Sequence, residues 1–333
     1  MVAALGLCAA IVLTLVIFGL PVGSSLEWLV QGAVGSKFAV ARTLIKAIPL
    51  CLTSVGIVIS WRAGMFNIGG EGQLIMGAIC GAAVAQFTLS LEGPARTAII
   101  VLACIAGGAG YALFAGWLMV ARGVHIVIST ILLNFVALHA LGWVAAGPLQ
   151  ESSGKLPLTQ ALGAATMFGR PDRQTDLHAG GWIVLLIVVL VAVGLFRTRG
   201  GFELRVTGEN PRVARANKID VVAIQLRSVA ISGGLCGLAG AMDYVGVTGQ
   251  IGPGFSQNWG FLAIPVALIG GLNPYGAAVS SLVFGGLFAG SENLARFTRS
   301  GATLVFIIQA VVVLGYLAIQ KLQERRVVRE GDA

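Results

Sequence analysis

The sequence predicts an all-α polytopic membrane protein, and three observations carry that prediction. Asp243 and Glu292 bracket 48 positions without a formal charge. That run is too long for one crossing and suits two, because a hydrocarbon core of ~30 Å takes roughly 20 apolar residues per helix. The chain is 56% hydrophobic and only 11% charged, whereas a soluble domain carries about 25% charged residues. Charge-free runs recur along all 333 residues, and no segment is long and polar enough to fold as a separate soluble domain. One transmembrane domain over residues 1–333 is therefore expected.

About ten spans follow from hydropathy: 2–20, 43–61, 72–91, 97–120, 124–146, 179–196, 228–247, 259–272, 276–291 and 302–320. Met1–Leu20 is apolar, with no basic leading region and no clear small-x-small cleavage site. It reads as a membrane helix and not as a signal peptide. The second and eighth spans are short and carry Pro49 and Pro265. Residues 147–178 form the main outer loop, and 197–227 the main basic loop. With the N-terminus inside, 13 of the 22 Lys and Arg residues fall on the inner side, seven of them between Arg197 and Arg227. Cytoplasmic loops collect Lys and Arg, so both termini and residues 197–227 are placed in the cytoplasm. The same rule accounts for the net charge of +8. No dense basic run interleaved with aromatics is present to bind nucleic acid.

Five spans followed by five more give the two halves opposite topology. Span two ends at a Gly-rich break, Gly64–Gly72, and span seven at another, Gly252–Gly260. On this topology the breaks face opposite sides of the membrane. Paired interruptions at corresponding positions hint at an inverted five-plus-five repeat. Gly77/Gly81, Gly233/Gly237 and Gly286/Gly290 have GxxxG spacing, which suits close helix packing.

No catalytic constellation is present. His125, His139 and His178 form no HExxH motif, and no GxSxG nucleophile elbow occurs. Gly154-Lys155 lacks the leading glycine of a phosphate-binding loop and is followed by Leu156. The chain cannot hydrolyse ATP by itself. Cys8, Cys51, Cys80, Cys104 and Cys236 all lie in apolar stretches without CxxC spacing, which fits structural thiols and no metal site.

A few polar residues stand out against the apolar background. Asn67, Glu71 and Gln73 sit among glycines between apolar spans. Irregular backbone at membrane depth is tolerated only inside protein or beside a water-filled cavity. A buried Glu71 would have to be paired, hydrogen-bonded or protonated. The other reading is a solvated Glu71 capping span three at its N-terminus, where a carboxylate suits the helix dipole. Asn134 lies mid-span, either in an interhelical hydrogen bond or lining a pathway. Asp243 is either a pathway residue or a solvated helix end. Ser256, Asn258 and Trp259 belong to the second break. In the basic loop, Asn210-Pro211 can open a short helix with Pro in its first turn. Ala214 and Ala216 stand among Arg212, Arg215 and Lys218. The result is a short surface helix able to dock in a partner's groove, or a cytoplasmic loop with a chance helix.

Arg62-Ala63-Gly64-Met65-Phe66-Asn67-Ile68-Gly69-Gly70-Glu71-Gly72-Gln73 resembles the signature of ABC-importer permeases for nucleosides and simple sugars. These belong to the branched-chain amino acid/ribose permease superfamily. The resemblance continues through Ser129–Asn134, Gly147–Leu149, Gly208–Pro211 with Ala214, Leu238–Ala241 and Ala267–Pro274, in order along almost the whole chain. It implies a transmembrane subunit that binds no cofactor itself. ATP and Mg would bind a separate cytoplasmic ATPase, and an extracytoplasmic protein would deliver the substrate. The coupling segment maps onto Gly208–Asp220, with Gly208, Glu209, Asn210, Pro211, Ala214 and Arg215 as its contacts. Asn217-Lys218 and His125 depart from the pattern, where relatives often have a small pair and an acidic residue. The chain resembles the longer permease of nucleoside systems, which implies a heterodimer in a bacterial plasma membrane. Asn67, Glu71, Gln73, Asn134, Ser256, Asn258 and Trp259 would then border the substrate pathway. An ion-coupled secondary transporter is the competing reading; it would need intramembrane acids, for which only Glu71 and Asp243 qualify.

Overall fold

The computed structural model describes residues 14–298 except Glu92 and Arg173, together with positions 12, 307, 310, 311, 314 and 315. The expected spans 2–20 and 302–320 lie largely outside the described residues. The named elements are helical: α1 (Val22–Val34), α2 (Lys37–Arg62), α3 (Gly70–Phe87), α4 (Pro94–Arg122), α5 (Ile126–Ala146), α6 (Gly180–Arg197), α7 (Arg199–Glu209), α8 (Pro211–Ala216), α9 (Val221–Asp243), α10 (Trp259–Ile269) and α11 (Pro274–Thr298). A π-helical turn, Tyr244–Thr248, extends α9, and Ala164–Thr166 forms a 3₁₀ turn in the outer loop. An isolated bridge joins Gln150 and Thr159. Among the described residues five helices, namely α2, α4, α5, α6 and α9 with its π extension, are long and apolar enough to cross a membrane. The polytopic helical fold expected from hydropathy is borne out.

Most helix ends follow from local chemistry. Pro94 opens α4, and Gly123, in the left-handed conformation at φ 67°, closes it behind Arg122. Asp220 caps α9 by accepting from the Ala223 amide at 3.0 Å. Thr198 caps α7 by accepting from the Gly201 amide at 3.1 Å. Helix α1 was not anticipated. Pro21 precedes it and Glu27 lies inside it, so it is too short and too polar to register as a span.

The described chain forms two compact units. One is built from the described parts of residues 1–47 and 282–333. There α1 packs its Leu29 backbone against Gly290 of α11, with Asn293 donating to the Trp28 carbonyl at 2.8 Å and the Trp28 and Phe297 rings stacked. Lys46 and Glu292 pair at 2.8 Å, with the ammonium over the Phe288 ring. The other unit, Ile48–Ser281, contains the candidate site. Its centre is the layer α3, α4 and α9. Gly77 faces Gly237, and Gly108 faces Gly233. A Cβ on Gly237 would collide with the Cys104 carbonyl. Small residues let these backbones approach where lipid gives no hydrophobic drive to helix association.

The two Gly-rich breaks require a correction. They do not lie on opposite sides; they meet. Gly70, at the start of α3, lies against Thr53 of α2 and Gly260 of α10. Thr53 is nine residues from Arg62, about 13 Å along the helix, so α3 begins beside the interior of α2 and not at its end. Helix α10 begins at the same junction. Its 11 residues span about 16 Å, half of a ~30 Å hydrocarbon core. The expected span 259–272 is thus a half-helix.

Candidate functional site

Two helix N-termini converge on one carboxylate. Glu71, in the first turn of α3, accepts from the Gly260 amide of α10 at 2.8 Å. The first amides of a helix have no internal partner and carry partial positive charge. Asn258 precedes α10 in the left-handed conformation at φ 63° and provides no side-chain cap. Glu71 fills that vacant role from another helix while also placing its charge at the head of its own. Gly260 has to be glycine, because a Cβ there would collide with the Glu71 backbone. Ser256 brings its hydroxyl to the same carboxylate without a well-aligned hydrogen bond. A second carboxylate holds the next residue: Trp259 donates its indole N–H to Asp243 at 2.8 Å. Of the two readings of Glu71, the solvated cap is excluded, since the side chain is buried. Asp243 is likewise buried and is no solvated helix end.

The segment between Arg62 and Glu71 is stitched into the unit by amides. Asn67, 0% exposed, exchanges hydrogen bonds with Gln73 at 3.0 and 2.9 Å, donates to the Ser232 hydroxyl at 3.2 Å and accepts from the Gly69 amide at 2.9 Å. Asn134 accepts from the Gly72 amide at 2.8 Å and donates to the Ile68 carbonyl at 2.9 Å. Asn134 thereby makes the interhelical bond that was one of its two readings. The Thr130 hydroxyl accepts from the Ile68 amide at 3.3 Å, and Trp61 donates to the Asn67 carbonyl at 3.1 Å. The network satisfies the polar groups of an irregular stretch that lipid could not solvate. Asn67, Gln73 and Asn134 are buried, and their partners all lie within this chain. Phe66 is the outward member of the segment, 50% exposed and edge-on to Trp61. Asn258 is exposed as well, whereas Trp259 is buried.

The opposite end of α10 is held by Arg62. Its Nε donates to the Leu272 carbonyl at 2.9 Å and its Nη2 to the Gly271 carbonyl at 3.4 Å. Leu272 is left-handed at φ 49°, a costly conformation for a branched side chain. A cation at a helix C-terminus and an anion at its N-terminus both favour the macrodipole. Both come to α10 from the same short segment.

The basic loop folds as anticipated into a short helix behind Asn210-Pro211. The Asn210 side chain accepts from the Arg212 and Val213 amides at 3.0 and 3.2 Å, with Pro211 in the first turn. Ala214 is 0% exposed and points into its own chain, so it seats the helix. The outward face of α8 is Arg212, Val213 and Arg215, and Val213 is 48% exposed. Val213 was missed because a six-residue helix has too little period to show which side faces out. Glu209 and Asn210 are exposed. Gly208 lies against Arg62 and Gly64, where a Cβ would collide with the Arg62 carbonyl.

The loop 147–178 packs over the end of α9. Leu162 bonds to Gly249, Phe168 to Val245 and Thr159 to Ile251 through backbone amides and carbonyls. His178 stacks on Phe168 and accepts at Nδ1 from the Gly180 amide at 3.2 Å. Burial foremost, with the Arg170 charge adding, pushes its pKa down to about 4, so the ring is neutral at neutral pH. Among the described residues no group of His, Cys, Asp and Glu is arranged to hold a metal ion.

Residues 39–317 match the family described as branched-chain amino acid transport system / permease component. Among curated relatives, a glucose ABC transporter permease protein of Haloferax volcanii is 31% identical over 88% of this chain and 79% of its own length. The guanosine ABC transporter permease protein NupP of Bacillus subtilis is 30% identical over 93% of this chain and 89% of its own. The nucleoside ABC transporter permease protein NupC of Lactococcus lactis is 32% identical over 75% and 80%. No solved structure matches. The family match covers the helices that build the junction and the basic loop, and ATP hydrolysis in such systems resides on a separate subunit. The chain belongs to the branched-chain amino acid transport system permease family and is a multi-pass translocation subunit of an ABC importer.

Proposed function

We propose that this subunit forms half of the pathway for a nucleoside or a related small polar solute, with a simple sugar as the second reading. The observation that carries the pathway is the meeting of the α3 and α10 N-termini beside Thr53, well inside the span-length helix α2, which puts the junction at membrane depth. Discontinuous helices meeting near the midplane are where transporters place small polar cargo, and inverted repeats bring such ends together. The buried amides of Asn67, Gln73 and Asn134 build the wall. Phe66 and Asn258, both exposed, present it to the cargo and to a second permease, while Ser256 turns its hydroxyl inward beside Glu71. The cargo class draws on the relatives named for guanosine and nucleosides, and the sugar reading on the one named for glucose. A heterodimer is supported by two organisms that each contribute two different permeases of one transporter name. Ten spans, cytoplasmic termini, a bacterial plasma membrane, and ATP and Mg on an ATPase docked at α8 complete the reading. Uptake of labelled guanosine and glucose by proteoliposomes carrying both permeases, the ATPase and the binding protein tests it. Guanosine accumulation that unlabelled nucleosides suppress and glucose does not is expected. Glucose accumulation that nucleosides leave unchanged overturns the nucleoside assignment.

A further inference from the structure

We propose that Arg62 is the positioning residue that carries movement of the coupling loop to the half-helix α10. The proposal rests on the assignment of residues 208–220 to the ATPase contact and goes beyond it by naming where the movement goes.

Arg62 touches both elements at once. Its backbone carbonyl lies against Gly208, the penultimate residue of α7 and two residues ahead of the cap of α8. Gly64, left-handed at φ 75°, packs on the same glycine. Any Cβ at position 208 would push this contact apart. The Arg62 side chain reaches the other way, to the carbonyls of Leu272 and Gly271 just past the end of α10. Nine residues on, Glu71 grips the first turn of the same helix. The segment 62–71 therefore holds α10 at both ends with opposite charges, each matched to the local end of the dipole. The helix between the grips is one short hydrogen-bonded body. When the ATPase shifts α8 and Gly208, Arg62 shifts with them and α10 follows, which displaces the junction at Glu71 and Gly260. Energetic coupling between distant sites travels through contiguous packed contacts of this kind. A lysine could not reproduce it, because a point charge replaces a planar fork that reaches two carbonyls.

The test uses the assembled transporter in proteoliposomes, with guanosine or glucose as probe, whichever the wild-type complex takes up. ATPase co-purification, basal hydrolysis, cargo-stimulated hydrolysis and uptake are measured for Arg62→Gln, Arg62→Lys, Gly208→Ala and Val213→Glu. Arg62→Gln should retain the ATPase and basal hydrolysis while cargo stimulation and uptake fall roughly tenfold, the equivalent of one charge-assisted hydrogen bond. Arg62→Lys should recover part of that loss. Gly208→Ala alters no charge and should also lose cargo stimulation and uptake, each read per ATPase that co-purifies. Wild-type stimulation and uptake in Arg62→Gln overturn the proposal. Should that variant fail to reach the membrane, wild-type coupling in both Arg62→Lys and Gly208→Ala overturns it. Val213→Glu separates the two layers. If it leaves the ATPase bound and coupled, the docking assignment falls and the proposal with it. If it releases the ATPase while Arg62→Gln and Gly208→Ala couple normally, only the link through Arg62 falls.

Discussion

Glu71 is the residue at which composition and geometry meet most sharply. A carboxylate in an apolar run demands partners, and that demand was readable in the sequence. The partner was not, because Gly260 lies 189 positions away and nothing local points to it. Removing the carboxylate leaves the amides of α10 without an acceptor, at a cost of about 1–3 kcal/mol. Glu71→Ala should lower the melting temperature of the purified subunit, and Glu71→Gln, which keeps an acceptor oxygen, should lower it less. Equal stability of wild type and Glu71→Ala would show that the junction does not depend on this contact. His178 gives a second prediction. Its pKa is pushed down to about 4 from an ordinary value of 6.5. An unfolded outer loop takes up a proton as pH drops through 6.5, while the folded loop does not until about 4. The stability contributed is therefore present above 6.5 and is lost progressively on acidification toward 4. Hydrogen exchange corrected for its intrinsic rate should show the loop around His178 losing protection between about pH 7 and pH 5. His178→Gln should abolish that dependence; a dependence unchanged in the variant would assign it to another group.

Elements were legible where their ends carry punctuation. Asn210-Pro211 marked a helix start that the backbone honours, whereas Pro94 and Asp220 open α4 and α9 ahead of the expected spans 97–120 and 228–247. The half-length of α10 was legible only as a short span containing Pro265, since hydropathy reports that a stretch is buried in apolar surroundings but not how far it runs. Side-chain direction on α8 was illegible for want of period. Ala214 faces inward and Val213 outward, so the face that α8 turns outward is Arg212, Val213 and Arg215. Val213→Glu or Arg215→Glu should reduce the amount of ATPase that co-purifies, and unchanged recovery of the ATPase in both would move the docking surface elsewhere. On α9 the contact glycines Gly233 and Gly237 were readable as GxxxG spacing, though not their partners Cys104 and Gly108 on α4. Gly237→Leu should force those helices apart and destabilise the subunit by about 1–3 kcal/mol or more. A melting temperature equal to wild type would contradict the packing.

At the scale of the whole chain, hydropathy alone was enough for a polytopic helical protein, because lipid leaves few structural choices. It misjudged how the two breaks relate. Treating every apolar stretch as a full crossing sends the breaks to opposite surfaces, whereas the half-length α10 ends inside the unit, where its N-terminus meets that of α3. The orientation rests on the Lys and Arg bias and is open to direct measurement. A cysteine at exposed Gln160, in a cysteine-free background, should react with an impermeant maleimide from the outside only. Labelling from the cytoplasmic side alone would invert the topology. The central claim is that this chain is a pathway driven by a separate ATPase, with its buried acids Glu71 and Asp243 engaged in holding α10 and not in ion coupling. The most direct measurement compares cargo accumulation in proteoliposomes under three conditions: the full complex with ATP, the full complex with an ATPase subunit unable to hydrolyse it, and this chain alone under an imposed proton or sodium gradient. The account predicts accumulation only in the first. Gradient-driven accumulation by this chain alone would contradict it.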